Sequence, residues 1–173
     1  RVVSPPTRAT RFAPEAAAAP KSAKEKVDVS ELAHLAWERS MPAARAKSLK
    51  TEIRSQGDTH LQADRGQLRR ALEEILANAV SYTKEGFVRV AVEGGTREVT
   101  VTCTDSGIGI PSEEFGRIFD EGFVGSNQLP ETRGGAGMGL AIAKRVIESH
   151  GGSAMVESRV GQGTRITLNI PRA

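Results

Sequence analysis

The chain has 173 residues, 24 Lys and Arg against 21 Asp and Glu, a formal net charge of +3 and 38% hydrophobic residues. This length suits one domain with a sizeable core, and no apolar run approaches the roughly 18 residues of a spanning helix, which argues against a transmembrane segment. The single cysteine, Cys103, excludes an internal disulfide framework and a cysteine-rich zinc site, and it suits a reducing cytoplasm.

The basic excess lies in residues 1–26, which hold six Lys and Arg and two acidic residues, whereas the rest of the chain holds 18 basic and 19 acidic residues. A nearly neutral domain with 4% aromatic residues argues against a nucleic-acid-binding surface. The Pro- and Ala-rich composition of residues 1–26 predicts a flexible lead-in or a connector from an upstream domain. Because the chain begins with Arg1 rather than Met, we expect it to belong to a longer protein.

The first predicted elements are a short strand at Val27 and a helix for which Ser30 is a candidate N-cap. Pro42 is expected to kink or divide this helix, because proline removes a backbone donor. After two short strands, Asp64 is placed to cap a strong helix. The apolar residues of that helix share one face: Leu68, Leu72, Ile75, Leu76 and Ala79.

The second half of the chain alternates strand-like runs with glycine-rich connections. A hairpin is predicted around Gly94 and Gly95, a short helix at 113–120 and a loop at 121–136. An amphipathic helix ending before Gly151 and a last hairpin close the chain. This uneven grouping favours an α+β layered fold over a doubly wound sheet.

Four segments carry the candidate chemistry, and the first contains Glu74 and Asn78. Side chains four residues apart share one face of a helix. A carboxylate beside an amide can hold Mg²⁺ or order water next to a phosphate, although a solvated polar face has the same pattern.

The second segment is DSGIGIP, which starts at Asp105 directly after a strand. A carboxylate there can accept a hydrogen bond from an exocyclic amine. Gly107 and Gly109 permit positive φ and the close approach of a flat ligand, although a hairpin turn is the ordinary alternative.

The third segment, GGAGMG at 134–139, opens a helix, where backbone N–H groups can face phosphate oxygens. It lacks the Gly-Lys-Ser/Thr ending of a P-loop and does not follow a strand, as a dinucleotide fingerprint does. The fourth segment, GQGT at 161–164, taken alone indicates a hairpin turn.

Together these segments resemble the catalytic and ATP-binding domain of sensor histidine kinases, in the wider GHKL ATPase superfamily. The runs EEILANAVSYT, DSGIGIP, FGRIFDEGF, GGAGMGLAIAKRVIESHGG and GQGT are similar to its N, G1, F, G2 and G3 boxes, in that order. The resemblance covers residues 27–173 and leaves 1–26 outside. It implies an α+β, two-layer α/β sandwich of the Bergerat type, with a mixed sheet packed against helices and a mobile ATP lid.

The resemblance also implies ATP and Mg²⁺ as cofactors and assigns roles to individual residues. Asn78 would coordinate Mg²⁺, and Asp105 would read the adenine amine. Glu74 and the lid residue Arg133 would join Asn78 in catalysis. The other implied nucleotide contacts are Gly107, Gly109, Gly135, Gly137, Gly139, Leu140 and Thr164.

Two departures from the family pattern keep alternatives open. Glu74 stands where many relatives have Asn, which leaves ATP hydrolysis or Ser/Thr phosphorylation as a second activity. Ser81 replaces a usual Lys, which leaves a nucleotide-binding pseudokinase or scaffold. Arg133 or Lys84 would supply the missing phosphate contact, and Arg133 is favoured because lids close on phosphates.

The histidines do not match the His-Asp/Glu-x-x-x-Pro context of a phosphoacceptor in this family: His34, His60 and His150. We therefore expect the acceptor histidine on a separate upstream dimerisation domain, and a response regulator receiver domain as the next partner in two-component signalling. The fragment is expected to be cytoplasmic and to contact neither nucleic acid nor membrane.

Overall fold

The structure is a computed structural model that describes residues 9–12, 23–126 and 138–173. Within these ranges three α-helices and eight β-strands alternate unevenly along the chain. They are β1 (Ala9–Phe12), β2 (Glu25–Asp28), α1 (Val29–Ala46), β3 (Lys50–Gln56), β4 (His60–Ala63), α2 (Arg65–Ser81), β5 (Phe87–Gly94), β6 (Glu98–Asp105), α3 (Gly139–Ser149), β7 (Ser153–Arg159) and β8 (Gly163–Pro171).

Six of the strands form one mixed sheet in the order β1-β7-β8-β6-β5-β3. β3 and β5 are parallel, and every other neighbouring pair in this sheet is antiparallel. β2 and β4 form a separate antiparallel pair. The three helices pack on the sheet, so the predicted α+β sandwich with a mixed sheet against helices is confirmed.

The period-two burial of the central strands explains this layering. In β6, Val99, Val101 and Cys103 are buried, and the residues between them are partly exposed. The buried residues meet the apolar face of α2, where Leu68, Leu72 and Ile75 are at most 2% exposed. The predicted face of α2 is therefore the core face.

The predicted N-cap of α2 is also confirmed. Oδ1 of Asp64 accepts a hydrogen bond of 2.9 Å from the backbone N–H of Gln67. Such a cap stabilises a helix by about 1 kcal/mol, because it satisfies a donor that has no partner inside the helix.

Two local predictions for α1 are wrong. The N-cap is Asp28 rather than Ser30, since Oδ1 of Asp28 accepts 2.9 Å from the Ser30 N–H and 2.5 Å from the Thr59 hydroxyl. Pro42 does not divide the helix, which continues to Ala46. Pro42 lies on the exposed face, where the carbonyl that loses its helical partner can turn toward water.

The predicted helix at 113–120 is also different in the structure. Ser112–Glu114 form a 3₁₀ helix, and turns follow to residue 122. The glycine at 116 disfavours a continuous α-helix there.

The lead-in contributes structure that its composition does not predict. β1 pairs antiparallel with β7, from Ala9 opposite Glu157 to Phe12 opposite Ala154, and extends the edge of the sheet. β2 begins at Glu25, two residues before the predicted boundary. The division into a lead-in at 1–26 and a domain at 27–173 stays a prediction.

His150 joins the end of α3 to the start of α2. Its buried ring places Nδ1 2.7 Å from the Val146 carbonyl oxygen, and Nε2 accepts 3.0 Å from the Asp64 N–H. Because a carbonyl only accepts, Nδ1 carries the proton and the ring is neutral. The predicted capping role of His150 is therefore confirmed, and the contact sets α3 against α2.

The other two histidines lie on the surface. Nδ1 of His34 is 2.8 Å from the Ser30 carbonyl oxygen, and Nδ1 of His60 is 2.8 Å from Oδ1 of Asp58. Across the described ranges, no helix combines the length and the apolar character that crossing a membrane requires.

Candidate functional site

Three polar side chains form a row across neighbouring strands at one end of the sheet. Asp105 on β6 lies opposite Thr164 on β8, and Thr164 lies opposite Ser158 on β7. Opposed residues of antiparallel strands point to the same face, so the three side chains stand side by side. Asp105 and Ser158 are buried and Thr164 is partly exposed, so the row is reached at Thr164.

Asp105 is a buried hydrogen-bond acceptor. Burial raises its pKa to about 6, against the opposing effect of hydrogen bonds from the backbone N–H groups of Gly107 and Thr164 and from the Thr83 hydroxyl. The bond from the Gly107 N–H to Oδ1 is 2.8 Å long. A ligand that donates an N–H to this carboxylate would favour its ionised form.

The glycines after Asp105 are needed for backbone packing. A Cβ on Gly107 would overlap the carbonyl oxygen of Tyr82, which also accepts 3.2 Å from the Ile108 N–H. Gly109 has φ +73°, and its Cβ would overlap the carbonyl oxygen of Arg159. The loop therefore lies tightly between the end of α2 and the end of β7, and its contact with a nucleotide stays a prediction.

Thr83 connects this loop to α2. Its hydroxyl donates 2.8 Å to the carbonyl oxygen of Ala79, the residue after Asn78. The same hydroxyl and the Asp105 carboxylate both border Gly107, at 2.9 Å and 2.8 Å from where its Cβ would stand. The helical turn that carries Asn78 is thus held against Asp105.

Glu74 and Asn78 occupy successive turns of α2 on the side facing α3. Oε2 of Glu74 lies 2.7 Å from where a Cβ on Gly139 would stand, so Glu74 faces the first turn of α3. Its other oxygen is 4.0 Å from Nε of Arg70. Unpaired backbone N–H groups and the helix dipole make the start of α3 suited to an anion such as phosphate.

The residues at this place fit a magnesium ion held together with phosphates. Asn78 is half-buried, and its amide has no hydrogen-bond partner within the described residues. Mg²⁺ commonly takes one or two protein oxygens together with substrate phosphates and water. Within the described part of the chain, no cluster of three or more His, Cys, Asp or Glu could hold a metal by itself.

Several predicted site residues are placed differently or lie outside the described residues. Arg133, Gly135 and Gly137 fall in 127–137, which is outside them. Leu140 follows Gly139 and packs against the core. Ser81 and Lys84 are exposed on the surface near the end of α2.

The segment that leads into the predicted lid is tied to the domain. Oε1 of Glu114 accepts hydrogen bonds from the N–H, at 3.0 Å, and from the hydroxyl of Ser126. Phe119 is buried in the core, and the Arg117 guanidinium lies 4.8 Å from the centre of the Phe123 ring. Both phenylalanines therefore pack as lid anchors would.

Sequence patterns alone do not point to Lys47 or Ser158. Nζ of Lys47 donates to the carbonyl oxygens at the end of α2, at 2.8 Å from Val80, 3.0 Å from Ser81 and 3.2 Å from Thr83. This lysine is 33 to 36 residues away in sequence, so only the fold brings it there. Ser158 is identified by strand register, as the partner of Thr164.

A second concavity, a groove of about 660 Å³, opens between α1 and α2. Arg39, Arg69 and Glu74 line it, and its lining includes none of Asp105, Gly107 or Thr164. The chemistry of the site therefore lies beside this groove, with Glu74 common to both.

Comparison with known proteins identifies the family. Residues 63–173 match the family model described as histidine kinase-, DNA gyrase B-, and HSP90-like ATPase. The chain belongs to this family of ATPases. The match includes α2, the loop after Asp105, α3 and the last hairpin, so the resemblance noted in the sequence is confirmed.

Relatives of this ATPase domain are sensor kinases. Over 147 residues the chain is 35% identical to the alginate biosynthesis sensor protein KinB of Pseudomonas aeruginosa, covering 83% of this chain and 24% of KinB. It is 43% identical over 111 residues to the sensor histidine kinase AruS of the same species, covering 61% of this chain and 11% of AruS. The chain thus spans a quarter or less of the length of these two relatives.

Solved structures agree with the fold. Full-length ShkA in complex with AMPPNP superposes with a TM-score of 0.78 at 29% identity, covering 91% of this chain and 33% of ShkA. The mycobacterial sensor histidine kinase MprB gives a TM-score of 0.69 at 28% identity, covering 86% of this chain and 97% of that one.

Proposed function

We propose that this ATPase-family domain binds Mg²⁺–ATP and transfers the γ-phosphate to a histidine on a separate dimerisation domain, as part of two-component signalling. The observation that carries the proposal is the continuous path from Asp105 through Thr83 to the turn of Asn78, and from Glu74 to the start of α3. It sets an acceptor for a base and a helix N-terminus for phosphates on one connected scaffold.

In this proposal each group has a distinct task. Asp105 accepts a hydrogen bond from the adenine amine, and Asn78 offers its amide oxygen to Mg²⁺. The bound ion supplies neutralisation of phosphate charge. The N–H groups at the start of α3 hold phosphate oxygens, and Arg133 from the lid adds positive charge near the γ-phosphate.

Glu74 is the proposed orienting group or base for the acceptor. Its carboxylate borders Gly139 at the start of α3, and it therefore stands beside the place proposed for the phosphates. A carboxylate there can hold the N–H of an imidazole or take its proton as the other nitrogen attacks phosphorus. The same position would let it activate water or a hydroxyl, which keeps hydrolysis or Ser/Thr phosphorylation as a second candidate.

The absence of a lysine at Ser81 supports the third candidate, a nucleotide-binding pseudokinase. Lys47 does not replace that lysine, because its ammonium group is bonded to three carbonyl oxygens at the end of α2. Lys84 is exposed, and Arg133 stays the favoured replacement. The further partners we propose are a response regulator receiver domain and a cytoplasmic setting.

The test uses the protein expressed from the whole coding region that contains this chain, with ATP labelled at the γ-phosphate. We expect label on protein that survives alkali and is lost in acid, as phosphohistidine is. Asn78→Ala should abolish labelling and leave weak nucleotide binding, and Glu74→Gln should slow labelling at least tenfold, roughly the contribution of general base catalysis.

Gln67→Ala, at the other end of α2, is the matched control and should label normally. Acid-stable label would favour Ser/Thr phosphorylation. Binding of ATP without any label would favour the pseudokinase, and normal labelling by Glu74→Gln would remove the proposed role of Glu74.

A further inference from the structure

The hydroxyl of Ser158 connects three parts of the candidate site. Ser158 is 5% exposed and lies on β7. Its Oγ is 2.8 Å from the Gly163 carbonyl oxygen, 2.8 Å from the Ile110 backbone nitrogen and 2.8 Å from Oγ1 of Thr164. One side chain thus holds the loop after Asp105, the turn before β8 and the middle residue of the polar row.

The direction of each proton follows from what each partner can do. A serine hydroxyl has one proton and two lone pairs. The Gly163 carbonyl only accepts, and the Ile110 N–H only donates, so Ser158 gives its proton to Gly163 and receives one from Ile110. The lone pair that is left receives the proton of the Thr164 hydroxyl.

Thr164 therefore offers only lone pairs to a ligand beside it. Its neighbour in the row, Asp105, is also an acceptor when ionised. Two adjacent acceptors favour a ligand group that carries N–H protons, and they disfavour a carbonyl oxygen in the same place.

We propose that Ser158 is a positioning residue that sets base selectivity, because it fixes Thr164 as an acceptor and thereby favours a 6-amino purine over a 6-oxo purine. The proposal rests on the proposed function, since it requires the base of the nucleotide to lie at Asp105. Without Ser158 the Thr164 hydroxyl is free to rotate and donate to a 6-oxo group.

The test compares the dissociation constants of Mg²⁺–ATP and Mg²⁺–ITP, measured by calorimetry. Inosine triphosphate has an oxo group in place of the 6-amino group and a proton on N1. The wild type should prefer ATP, and Ser158→Ala should lower the ratio of the ITP to the ATP dissociation constant by about tenfold, the effect of one hydrogen bond changing sign.

Ser153→Ala is the matched control, because Ser153 is a buried serine at the other end of β7, opposite Asn169. Its ratio should equal that of the wild type. A loss of packing alone would weaken both nucleotides together and leave the ratio unchanged.

A folded Ser158→Ala protein with the wild-type ratio would overturn the inference and leave the proposed function intact. A wild type that binds neither nucleotide would overturn both. If Ser158→Ala does not fold, Thr164→Val decides: loss of ATP affinity by about tenfold with unchanged ITP affinity supports an acceptor at Thr164, and equal losses overturn it.

Discussion

Replacing Asp105 with Asn should stabilise the nucleotide-free domain and weaken ATP binding at the same time. Burial raises the pKa of Asp105 from 3.8 to about 6. Since one pKa unit corresponds to about 1.4 kcal/mol, holding this carboxylate ionised at pH 7 costs about 3 kcal/mol relative to its protonated form.

The sign follows from proton linkage. The folded state binds this proton more tightly than the unfolded state, so the contribution of Asp105 is most favourable below pH 3.8 and is lost as pH rises through 6. Asn carries no charge and avoids that loss. We expect Asp105→Asn to raise the free energy of unfolding at pH 7 by about 1 to 3 kcal/mol, the lower value allowing for weaker hydrogen bonds to a neutral group.

The same substitution should weaken ATP binding by about tenfold to a hundredfold, since a hydrogen bond to a charged acceptor contributes about 1.5 to 3 kcal/mol. The amide oxygen can still accept from Gly107, but its NH₂ group then faces the donor of the base. Stability and affinity therefore change in opposite directions, which general damage to the fold would not produce.

The assay is urea unfolding of both proteins between pH 4 and pH 7, with ATP titrations at pH 7. The stability difference between mutant and wild type should shrink as pH falls through 6. Asp28→Asn is a control of opposite sign: burial acts to raise the pKa of Asp28, but hydrogen bonds from Thr59 and Ser30 outweigh it and lower the pKa. A pH-independent difference for Asp105→Asn, or unchanged ATP affinity, would refute the reasoning.

Two further predictions concern the scaffold of the site. Gly163→Ala should destabilise the domain by at least about 2 kcal/mol, because φ is +100° and the added Cβ would overlap the Asp105 carbonyl, whereas Gly161→Ala, at φ +78° with open space, should cost about 1 kcal/mol; equal losses in thermal unfolding would contradict this. Lys47→Met should lower the free energy of unfolding by about 1 to 3 kcal/mol, because it removes the donor of three carbonyl groups. The exposed Lys50→Met is its control in urea unfolding, and a loss as large as that of Lys47→Met would refute the role of Lys47.

The elements that the sequence predicts correctly are those whose signal is local. The apolar period of α2, its cap at Asp64 and the alternation of β5 and β6 each follow from residues within one element. The candidate site follows equally from motifs that are contiguous in the chain, because backbone loops and helix ends carry much of its chemistry.

What the sequence does not predict depends on contacts between distant segments. β1 has four residues and no alternating pattern, and it is a strand because it pairs with β7 about 145 residues away. Ser158 gains its place from the register of β7 and β8, and Lys47 from the packing of α1 against α2. Asp28 caps α1 because the Thr59 hydroxyl also binds it, a partner that no local rule supplies.

The most direct test of the nucleotide site is a map of backbone amide chemical shifts before and after addition of Mg²⁺–ATP. The account predicts large changes at Gly107, Ile110, Gly139 and Thr164, and none in the hairpin at Gly95. Changes confined to the α1–α2 groove, or no saturable change at all, would contradict a nucleotide site at Asp105.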